Sequence, residues 1–375
     1  MASTRYILGD LIEEIDRKNE TLMYDLSYVR GISNTKEITL TKADVDETVI
    51  NKFYIILPGE FIYNPRTTRM GEKVGLAYNS TNIPLLFTFN NVAFRVKQEA
   101  KRILIPDYLY IYFNRNEFDR YAMVHSWGSA TELFTFDEMC NIVVDLPNLP
   151  VQQKYVDIHK AMVANQQSYE RGLEDLKLLM DALLDKVKHT SEVIPVGDLL
   201  KDVDCRNESG KITEVQGINI SKQFMPSVAD TNGVNLNNYK LVKKGQFAYS
   251  GMQTGRDECI RIALYQGDKP IIISPAYSVF EVKEKSVLAE YIMVWFSRAQ
   301  SDRRGWFMSD SSIRTNLDLE RFYEIKIPVP EMKMQSAIVE LYSAYTARRN
   351  ISEQLKAQIK GICPILIKGS LEEDT

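Results

Sequence analysis

A polar segment that begins at Tyr63 and ends at Lys73 carries side chains of the types that bind DNA. Arginine, lysine and threonine bind backbone phosphates, and arginine and asparagine also bind the edges of bases. The segment has no apolar periodicity, which predicts an exposed loop, either a DNA contact or an ordinary solvated turn. Its candidate DNA-binding residues are Asn64, Arg66, Thr67, Thr68, Arg69 and Lys73.

Similar polar segments elsewhere in the chain supply further candidates for DNA contact. The segment from Tyr249 to Arg256 has the same character as the first. Two further pairs of segments are also polar: 126–131 with 309–316, and 30–36 with 216–222. Side chains of 126–131 and 309–316 could equally cap a helix. The candidates here are Ser250, Gln253, Thr254 and Arg256, then Ser129, Thr131, Ser312 and Arg314, and finally Asn34, Lys36 and Lys222.

One fragment fits a different chemistry, the metal-dependent cleavage of nucleic acid. Asp268 is followed by Glu281 and Lys283, and carboxylates in this order hold Mg²⁺ in many nucleases. The internal repeat described below places Arg95 at the position that corresponds to Glu281. Because arginine cannot replace a metal-binding carboxylate, this position is better interpreted as a solvated strand edge.

No other motif predicts catalysis or a bound cofactor. The chain has no GxxxxGK[ST] phosphate loop, no GxGxxG after a strand and no Asn-Pro-Pro-aromatic methyltransferase signature. Its three histidines, His125, His159 and His189, lack the spacing of metal ligands, and its four cysteines form no CxxC pair. We therefore expect no catalytic residue, no metal and no cofactor on this chain.

The composition is that of an ordinary globular protein. Of the 375 residues, 45% are hydrophobic and 26% charged, which excludes disordered and low-complexity proteins. The net charge of −4 argues against a basic protein that coats DNA, but a protein that reads DNA needs only a basic contact face. The N-terminal segment has no apolar signal core and the apolar runs are too short to span a membrane, so we expect a cytoplasmic protein.

The two halves of the chain repeat the same residue types in the same order. The segment Leu8–Ile12 recurs as Val196–Leu200, and the segment Pro58–Tyr63 recurs as Lys244–Tyr249. Further matches follow in order, and the offset between the copies stays at about 185 residues. A period of this length is too long for a solenoid, so the repeat predicts two related domains.

Each copy is predicted to hold short strands, one short helix and then a long helix. Strand-like runs at 53–57, 85–89 and 271–273 are separated by Asn, Gly and Pro. A helix is predicted at 106–113 with a counterpart at 288–298, and proline-bounded strands are predicted at 142–150 and 323–330.

Apolar residues at heptad spacing predict a narrow seam along each long helix. The seam of the first helix is continuous, whereas that of the second is interrupted near Arg348 and Arg349, and Pro364 is predicted to end this helix. An isolated helix cannot bury a narrow apolar seam, so we expect the two helices to pack against each other as an antiparallel coiled coil. This arrangement has approximate twofold symmetry, which matches the symmetry of duplex DNA. The predicted seam residues are Ile158, Met162, Leu173, Leu176, Met180, Leu183, Ile338, Leu341, Ile351, Leu355 and Ile359.

This order of domain, long helix, domain and long helix resembles the specificity subunit of type I restriction-modification enzymes. The junctions of strand, proline and glutamine at 146–153 and 327–335 are similar to that family's boundary between recognition domain and helix. The sequence aligns Gln153 with Gln335, and the second junction departs from the pattern because no glutamine precedes Gln335. The Gly-Asp-Leu openings at Gly9 and Gly197 also fit, and the resemblance covers the whole chain.

The resemblance implies an α+β fold with two similar α/β target-recognition domains, residues 1–149 and 191–329, and two long helices, residues 150–190 and 330–375. Each domain would read one half of a bipartite double-stranded DNA target, and the helices would set the spacer between the halves. The subunit would have no catalytic activity. It would dock two methyltransferase subunits and the restriction and translocase subunits, and these partners would hold S-adenosylmethionine, ATP and Mg²⁺.

Comparison of the two copies separates scaffold residues from residues that read bases. The two half-sites of such a target normally differ, so residues shared by both copies indicate scaffold and residues that diverge within a shared loop indicate readers. The scaffold residues are Gly59, Gly245, Phe61 and Phe247, and the reader candidates are Arg66, Arg69, Gln253 and Arg256. A metal-dependent nuclease and a coiled-coil scaffold protein without DNA affinity are the alternative functions.

Overall fold

The computed structural model describes residues 3–41, 45–67, 73–128, 132–227, 229, 233–252, 254–310 and 315–373. The chain forms two compact units, and each contains one half of each long helix. Unit 1 comprises Met1–Tyr169 and Ile351–Thr375, and unit 2 comprises Glu170–Asn350. Both units mix helices and strands, as the sequence predicts. None of the helices within the described ranges is long and apolar enough to cross a membrane.

Unit 1 is built from short strands and helices that precede its half of the first long helix. Its strands are β1 (Thr4–Ile7), β2 (Ile12–Ile15), β3 (Arg30–Ile32), β4 (Ile38–Leu40), β5 (Tyr54–Ile56), β6 (Phe61–Tyr63), β7 (Leu76–Tyr78), β8 (Leu85–Phe87), β9 (Val92–Val96) and β10 (Val143–Leu146). Its helices are α1 (Leu8–Leu11), α2 (Pro106–Phe113), α3 (Asn116–Val124), α4 (Phe136–Cys140) and the long helix α5 (Leu149–Thr190), with 3-10 helices at Leu26–Tyr28, Glu47–Lys52 and Glu99–Arg102.

Unit 2 repeats this order of elements. Its strands are β11 (Glu192–Pro195), β12 (Leu200–Asp202), β13 (Val215–Ile218), β14 (Phe224–Pro226), β15 (Lys240–Val242), β16 (Phe247–Ser250), β17 (Arg261–Leu264), β18 (Ile271–Ile273), β19 (Ser278–Val282) and β20 (Lys326–Val329). Its helices are α6 (Val196–Leu199), α7 (Thr254–Asp257), α8 (Ala289–Phe296), α9 (Ala299–Met308), α10 (Leu319–Tyr323) and the long helix α11 (Met332–Glu373), with a 3-10 helix at Leu236–Asn238. The predicted helices at 106–113 and 288–298 are therefore confirmed.

A four-stranded antiparallel sheet occupies the same place in both units. The strand order is β2-β9-β6-β7 in unit 1 and β12-β19-β16-β17 in unit 2. Phe61 pairs with Phe94 across the first sheet, and Phe247 pairs with Phe280 across the second. All four side chains are fully buried. Aromatic pairs across neighbouring strands stabilise a sheet on its core face, so the two copies share their register as well as their residue types.

The turn before the central strand of each sheet requires glycine. Gly59 has a φ of +84° and Gly245 a φ of +82°. Side chains with a Cβ rarely adopt this left-handed conformation. These glycines, together with the buried Phe61 and Phe247, therefore have the scaffold role that their identity in the two copies predicts.

The halves of the long helices run antiparallel within each unit. In unit 1 the Lys154 ammonium lies 2.7 Å from the Glu373 carboxylate, and the Gln166 amide donates to the Ser352 hydroxyl at 3.0 Å. In unit 2 Gly172 faces the side chain of Arg348. Further along, Leu184 and Ile338 belong to one buried cluster.

The predicted seam is wrong in the part of α5 that belongs to unit 1. Ile158 is 39% exposed, and Gln152, Val156, His159 and Gln166 are buried instead. Buried polar residues break the apolar periodicity, because their hydrogen bonds replace apolar contacts. On α11, Ile351 is also 39% exposed. Of the other predicted seam residues, Met180 and Ile338 are buried, and those half-buried are Met162, Leu173, Leu176, Leu183, Leu341, Leu355 and Ile359.

Pro364 does not end the second long helix, contrary to the prediction from the sequence. Helix α11 continues through this proline to Glu373. Proline costs about 3 kcal/mol in the interior of a helix. The next turn, however, buries Leu366 and Ile367 in the core of unit 1. Each such side chain contributes about 1.5–3 kcal/mol on burial, so tertiary packing outweighs the local penalty.

A buried glutamine attaches the start of each long helix to its unit. The Gln152 amide nitrogen donates to the carbonyls of Ile103 and Pro147, and its Oε1 accepts from the Ile105 amide. Gln335 makes the corresponding bonds to the carbonyls of Ser286 and Pro330 and from the amide of Leu288. The counterpart of Gln335 is thus Gln152 and not Gln153, and the apparent departure from the family pattern disappears.

We predict that Gln152→Ala destabilises unit 1 by about 2 kcal/mol, because it leaves buried backbone groups without partners. Gln153 is the matched control, since it is exposed and its amide donates to the Asp157 carboxylate one helical turn away. Its replacement by alanine should change stability by no more than about 0.5 kcal/mol. Urea-induced unfolding of the two variants measures the difference, and equal midpoints would contradict the assignment.

Candidate nucleic-acid interface

A buried ion pair joins the polar segments of unit 1. The Lys36 ammonium donates to Asp119 Oδ1 at 2.6 Å, and the backbone amide of Val74 donates to the same oxygen at 3.1 Å. The side chain of Lys36 is only 2% exposed. Asp119 on α3 therefore holds both the turn after β3 and the chain that follows the segment 63–73.

Unit 2 contains the same ion pair at equivalent positions. The Lys222 ammonium donates to both carboxylate oxygens of Asp302 at 2.6 Å, and the Ile260 amide donates to Oδ1 at 2.9 Å. Asp302 lies on α9, the counterpart of α3. In both units one aspartate thus connects a turn that the sequence assigns to DNA contact with the chain that follows a second such segment.

The backbone of each turn directs its lysine inward. Lys36 has a φ of +63° and Lys222 a φ of +60°, a conformation that is uncommon for residues other than glycine. Their amides bond back to the carbonyls of Ser33 and Asn219 and close the two turns. Burial lowers the pKa of the Lys36 ammonium, and the adjacent Asp119 carboxylate acts in the opposite direction.

The structure corrects the roles predicted for Lys36 and Lys222. Both were candidates for DNA contact, but their ammonium groups are buried and neutralised by Asp119 and Asp302. They are part of the scaffold. The sequence carries a signal for this assignment, because both the lysine and the aspartate are identical in the two copies. The aspartates were missed because they lie outside the polar loops, on the helices α3 and α9, which the sequence analysis did not predict.

Three further candidates are also buried. Thr67 is 1% exposed and its hydroxyl donates to the Glu132 carbonyl, and Thr254 is 0% exposed and donates to the Gly251 carbonyl. Ser250 is 8% exposed. The hydroxyls of Thr67 and Thr254 thus bond to backbone carbonyls and stabilise the loops below the candidate surface, and Ser250, near Thr254 in sequence, is also buried.

The remaining described candidates lie at the surface. Asn34 and Arg256 are exposed, and Asn64, Arg66 and Lys73 are half-buried. The candidates Thr68, Arg69, Ser129, Thr131, Gln253, Ser312 and Arg314 lie outside the described residues.

Backbone hydrogen bonds place the loop segments beside each other in each unit. In unit 1 the Thr67 amide donates to the Glu132 carbonyl, and the Phe134 amide donates to the Pro65 carbonyl at 2.8 Å. In unit 2 the Leu317 amide donates to the Gly251 carbonyl at 2.9 Å. The described parts of the segments 63–73 and 249–256 thus lie beside the residues that follow the second polar segment of each unit, Glu132 to Phe134 in unit 1 and Leu317 in unit 2.

The residues proposed for a nuclease site have other partners. The Glu281 carboxylate accepts from Lys201 at 2.7 Å and from Gln246 at 3.0 Å, and these contacts lower its pKa. Lys201 and Glu281 face each other across β12 and β19. Unit 1 has the same cross-strand ion pair with the charges exchanged, Glu13 with Arg95. Glu281 therefore stabilises a sheet edge, as the repeat indicates.

The chain is similar to known proteins in sequence and in structure. Residues 190–361 match the family model described as type I restriction modification DNA specificity domain. No curated protein matches the sequence. Among solved structures, the S subunit of a type I restriction-modification system from M. genitalium is 13% identical over 99% of this chain and 96% of that chain, with a TM-score of 0.62. The HsdS subunit from Thermoanaerobacter tengcongensis is 14% identical over 100% and 97%, with a TM-score of 0.37.

The likeness to the M. genitalium subunit extends over both units and shows a shared fold. The family model covers unit 2 from residue 190 onward and most of the second long helix, but of the first long helix it includes only Thr190. The resemblance predicted from the repeat is confirmed: residues 190–361 match the type I restriction modification DNA specificity domain, and the whole chain shares its fold with the M. genitalium subunit.

Proposed function

We propose that this chain is the DNA specificity subunit of a type I restriction-modification complex and that each unit reads one half of a bipartite target. The observation that carries the proposal is the duplicated surface around Asp119 and Asp302. The lysine and the aspartate that form its ion pair are the same in both units, whereas exposed residues such as Asn34 and its counterpart Ile220 differ. Two domains that recognise different half-sites need the same loop scaffold but different side chains at the DNA-contacting surface.

The long helices are proposed to set the spacer between the half-sites and to dock two methyltransferase subunits. Antiparallel helix contacts within each unit support this arrangement. The subunit itself is proposed to be non-catalytic. S-adenosylmethionine, ATP and Mg²⁺ would bind the methyltransferase and the restriction and translocase subunits. Because the chain has a net charge of −4, we propose that the partner subunits supply much of the binding to DNA phosphates.

The test is the pattern of adenine methylation that the chain directs. It is co-expressed with its methyltransferase partner in a host that lacks DNA methylation, and the genome is sequenced by a modification-sensitive method. We expect one bipartite motif with a methyladenine in each half. Exchange of the loop residues of one unit should change only one half. A complex that purifies intact but methylates nothing would favour a scaffold protein, and the absence of any complex would overturn the proposal.

A further inference from the structure

The C-terminal half of α9 exposes two large aromatic side chains. Phe307 is 76% exposed and Trp306 is 53% exposed. The opposite face of the helix is anchored, because Gly305 packs closely against the side chains of Ile260 and Leu317. The helix is therefore fixed in place while its aromatic side chains face solvent. Exposed apolar surface does not contribute to the stability of the fold, and it often marks a binding site.

The same exposed face carries positive charge. Arg303 and Arg304 are exposed, and among the described residues neither has an ion-pair partner. Arg321 adds a third guanidinium at the end of the helix, where it donates to the Met308 carbonyl and also pairs with Asp318. Asp302, the nearest carboxylate in sequence, is neutralised by Lys222. The face therefore combines guanidinium groups with aromatic rings and suits a polyanion that has apolar surface.

This face adjoins the loop that carries the reader candidate Arg256. Helix α7, which includes Arg256, packs against α9. The Gly255 amide donates to the Thr315 carbonyl at 2.9 Å, and Gly255 also lies against the side chain of Ser309. The end of α9 and the loop are consequently parts of one surface.

Unit 1 exposes an apolar side chain at the equivalent position. The counterpart of Phe307 is Val124, which is 70% exposed, and Trp127 shortly after it is 68% exposed. The counterpart of Arg303 is Arg120, an exposed arginine. An exposed arginine and an exposed apolar side chain are thus retained at this helix end, although Arg120 pairs with Glu117, and the size of the apolar side chain differs. The difference is what two half-sites of unlike sequence require.

We propose that the exposed face of α9, formed by Arg303, Arg304, Trp306 and Phe307, binds duplex DNA in the half-site that unit 2 reads. This inference rests on the proposed function. The arginines bind phosphates, which gives affinity without sequence preference. The aromatic residues contact base surfaces, where a phenylalanine meets the thymine methyl group or stacks on an exposed base. Val124 takes the corresponding place in unit 1 with a smaller contact.

The experiment compares variants of the full chain in complex with the methyltransferase partner. The probe is a fluorescently labelled duplex that carries the bipartite motif methylated by the wild-type complex, and fluorescence anisotropy gives the dissociation constant at several salt concentrations. Phe307→Ala is expected to weaken binding about tenfold with little change in salt dependence. Arg303→Ala combined with Arg304→Ala should lower the salt slope by about 1–2. Val193→Ala, at a 47% exposed apolar position on β11, is the control and should bind like the wild type.

The outcomes separate this inference from the proposed function. A wild-type complex without sequence-specific binding overturns the proposed function and the inference with it. If the wild type binds and all the α9 variants bind equally well, the inference alone is overturned. Loss of complex formation in the α9 variants but not in Val193→Ala would make this face a protein-docking surface and also overturn it. Methylation in the host provides an internal control, because Phe307→Ala should relax only the half of the motif that unit 2 reads.

Discussion

Replacing Asp119 with alanine is expected to destabilise unit 1 by about 3–5 kcal/mol, since it leaves the Lys36 ammonium buried without a counter-charge. Lys36 is 2% exposed and Asp119 9% exposed in their side chains, so solvent cannot replace the lost partner. The same change removes the anchor of the Val74 amide. Recognition of the half-site read by unit 1 should be lost together with stability. Hydrogen exchange resolved on peptides of unit 1 measures the first effect, and the methylation motif measures the second.

Two variants control this experiment. In unit 2 the side chain of Asp302 is 21% exposed, so Asp302→Ala should cost less than Asp119→Ala and should affect only the other half of the motif. The double variant Lys36→Met, Asp119→Leu replaces the pair with apolar side chains, and most of the lost stability should return. If Asp119→Ala leaves the exchange rates of unit 1 unchanged, the ion pair does not organise the loops.

The penalty of Asp119→Ala is expected to fall as the pH rises. Burial lowers the pKa of Lys36 in the folded chain below its ordinary value of 10.5, and the substitution removes the group that acts against this shift. A lysine whose pKa is lower in the folded than in the unfolded state has its full destabilising effect at pH values below the folded-state pKa. The penalty decreases as the pH rises through the folded pKa and vanishes above the unfolded value. Urea unfolding of the variant at neutral and at alkaline pH measures the change.

Gly251→Ala is expected to destabilise unit 2 by about 3 kcal/mol, because a Cβ at this position would lie in contact with backbone. An ideal Cβ on Gly251 would be 1.9 Å from the carbonyl oxygen of Leu317. The Leu317 amide donates to the Gly251 carbonyl and the Tyr249 hydroxyl donates to the Leu317 carbonyl, so the chain cannot move apart without loss of both bonds. Binding of the half-site read by unit 2 should weaken as the loop shifts.

The matched control is Gly361→Ala in the interior of α11. A Cβ on Gly361 would meet no atom within 4 Å, and alanine is favoured over glycine in a helix by up to about 1 kcal/mol. This variant should be as stable as the wild type or slightly more stable. Thermal unfolding of the two alanine variants compares them directly. Equal melting temperatures would mean that the approach of Leu317 to Gly251 does not constrain the loop.

The order of residue types in the sequence determined that the chain contains two related units and that each ends in a long helix. The repeat identified Gly59, Gly245, Phe61 and Phe247 as scaffold residues, because these positions require the same residue in both copies. Local patterns also predicted α2 and α8, since a helix of this length is specified by residues close together in the chain. The family resemblance followed from the same order of segments.

Only the tertiary structure decided which polar residues are exposed. Lys36 and Asp119 are 83 residues apart in sequence, and the sequence pattern around either residue does not reveal that they form a buried pair. Distant contacts also explain why the buried residues of α5 differ from the predicted seam. Gln152 and Gln166 are buried there because they form hydrogen bonds with residues far away in the chain. Such contacts also explain the passage of α11 through Pro364, which packing of the following turn stabilises. Local pattern specifies the elements, whereas burial depends on contacts between residues that are distant in sequence.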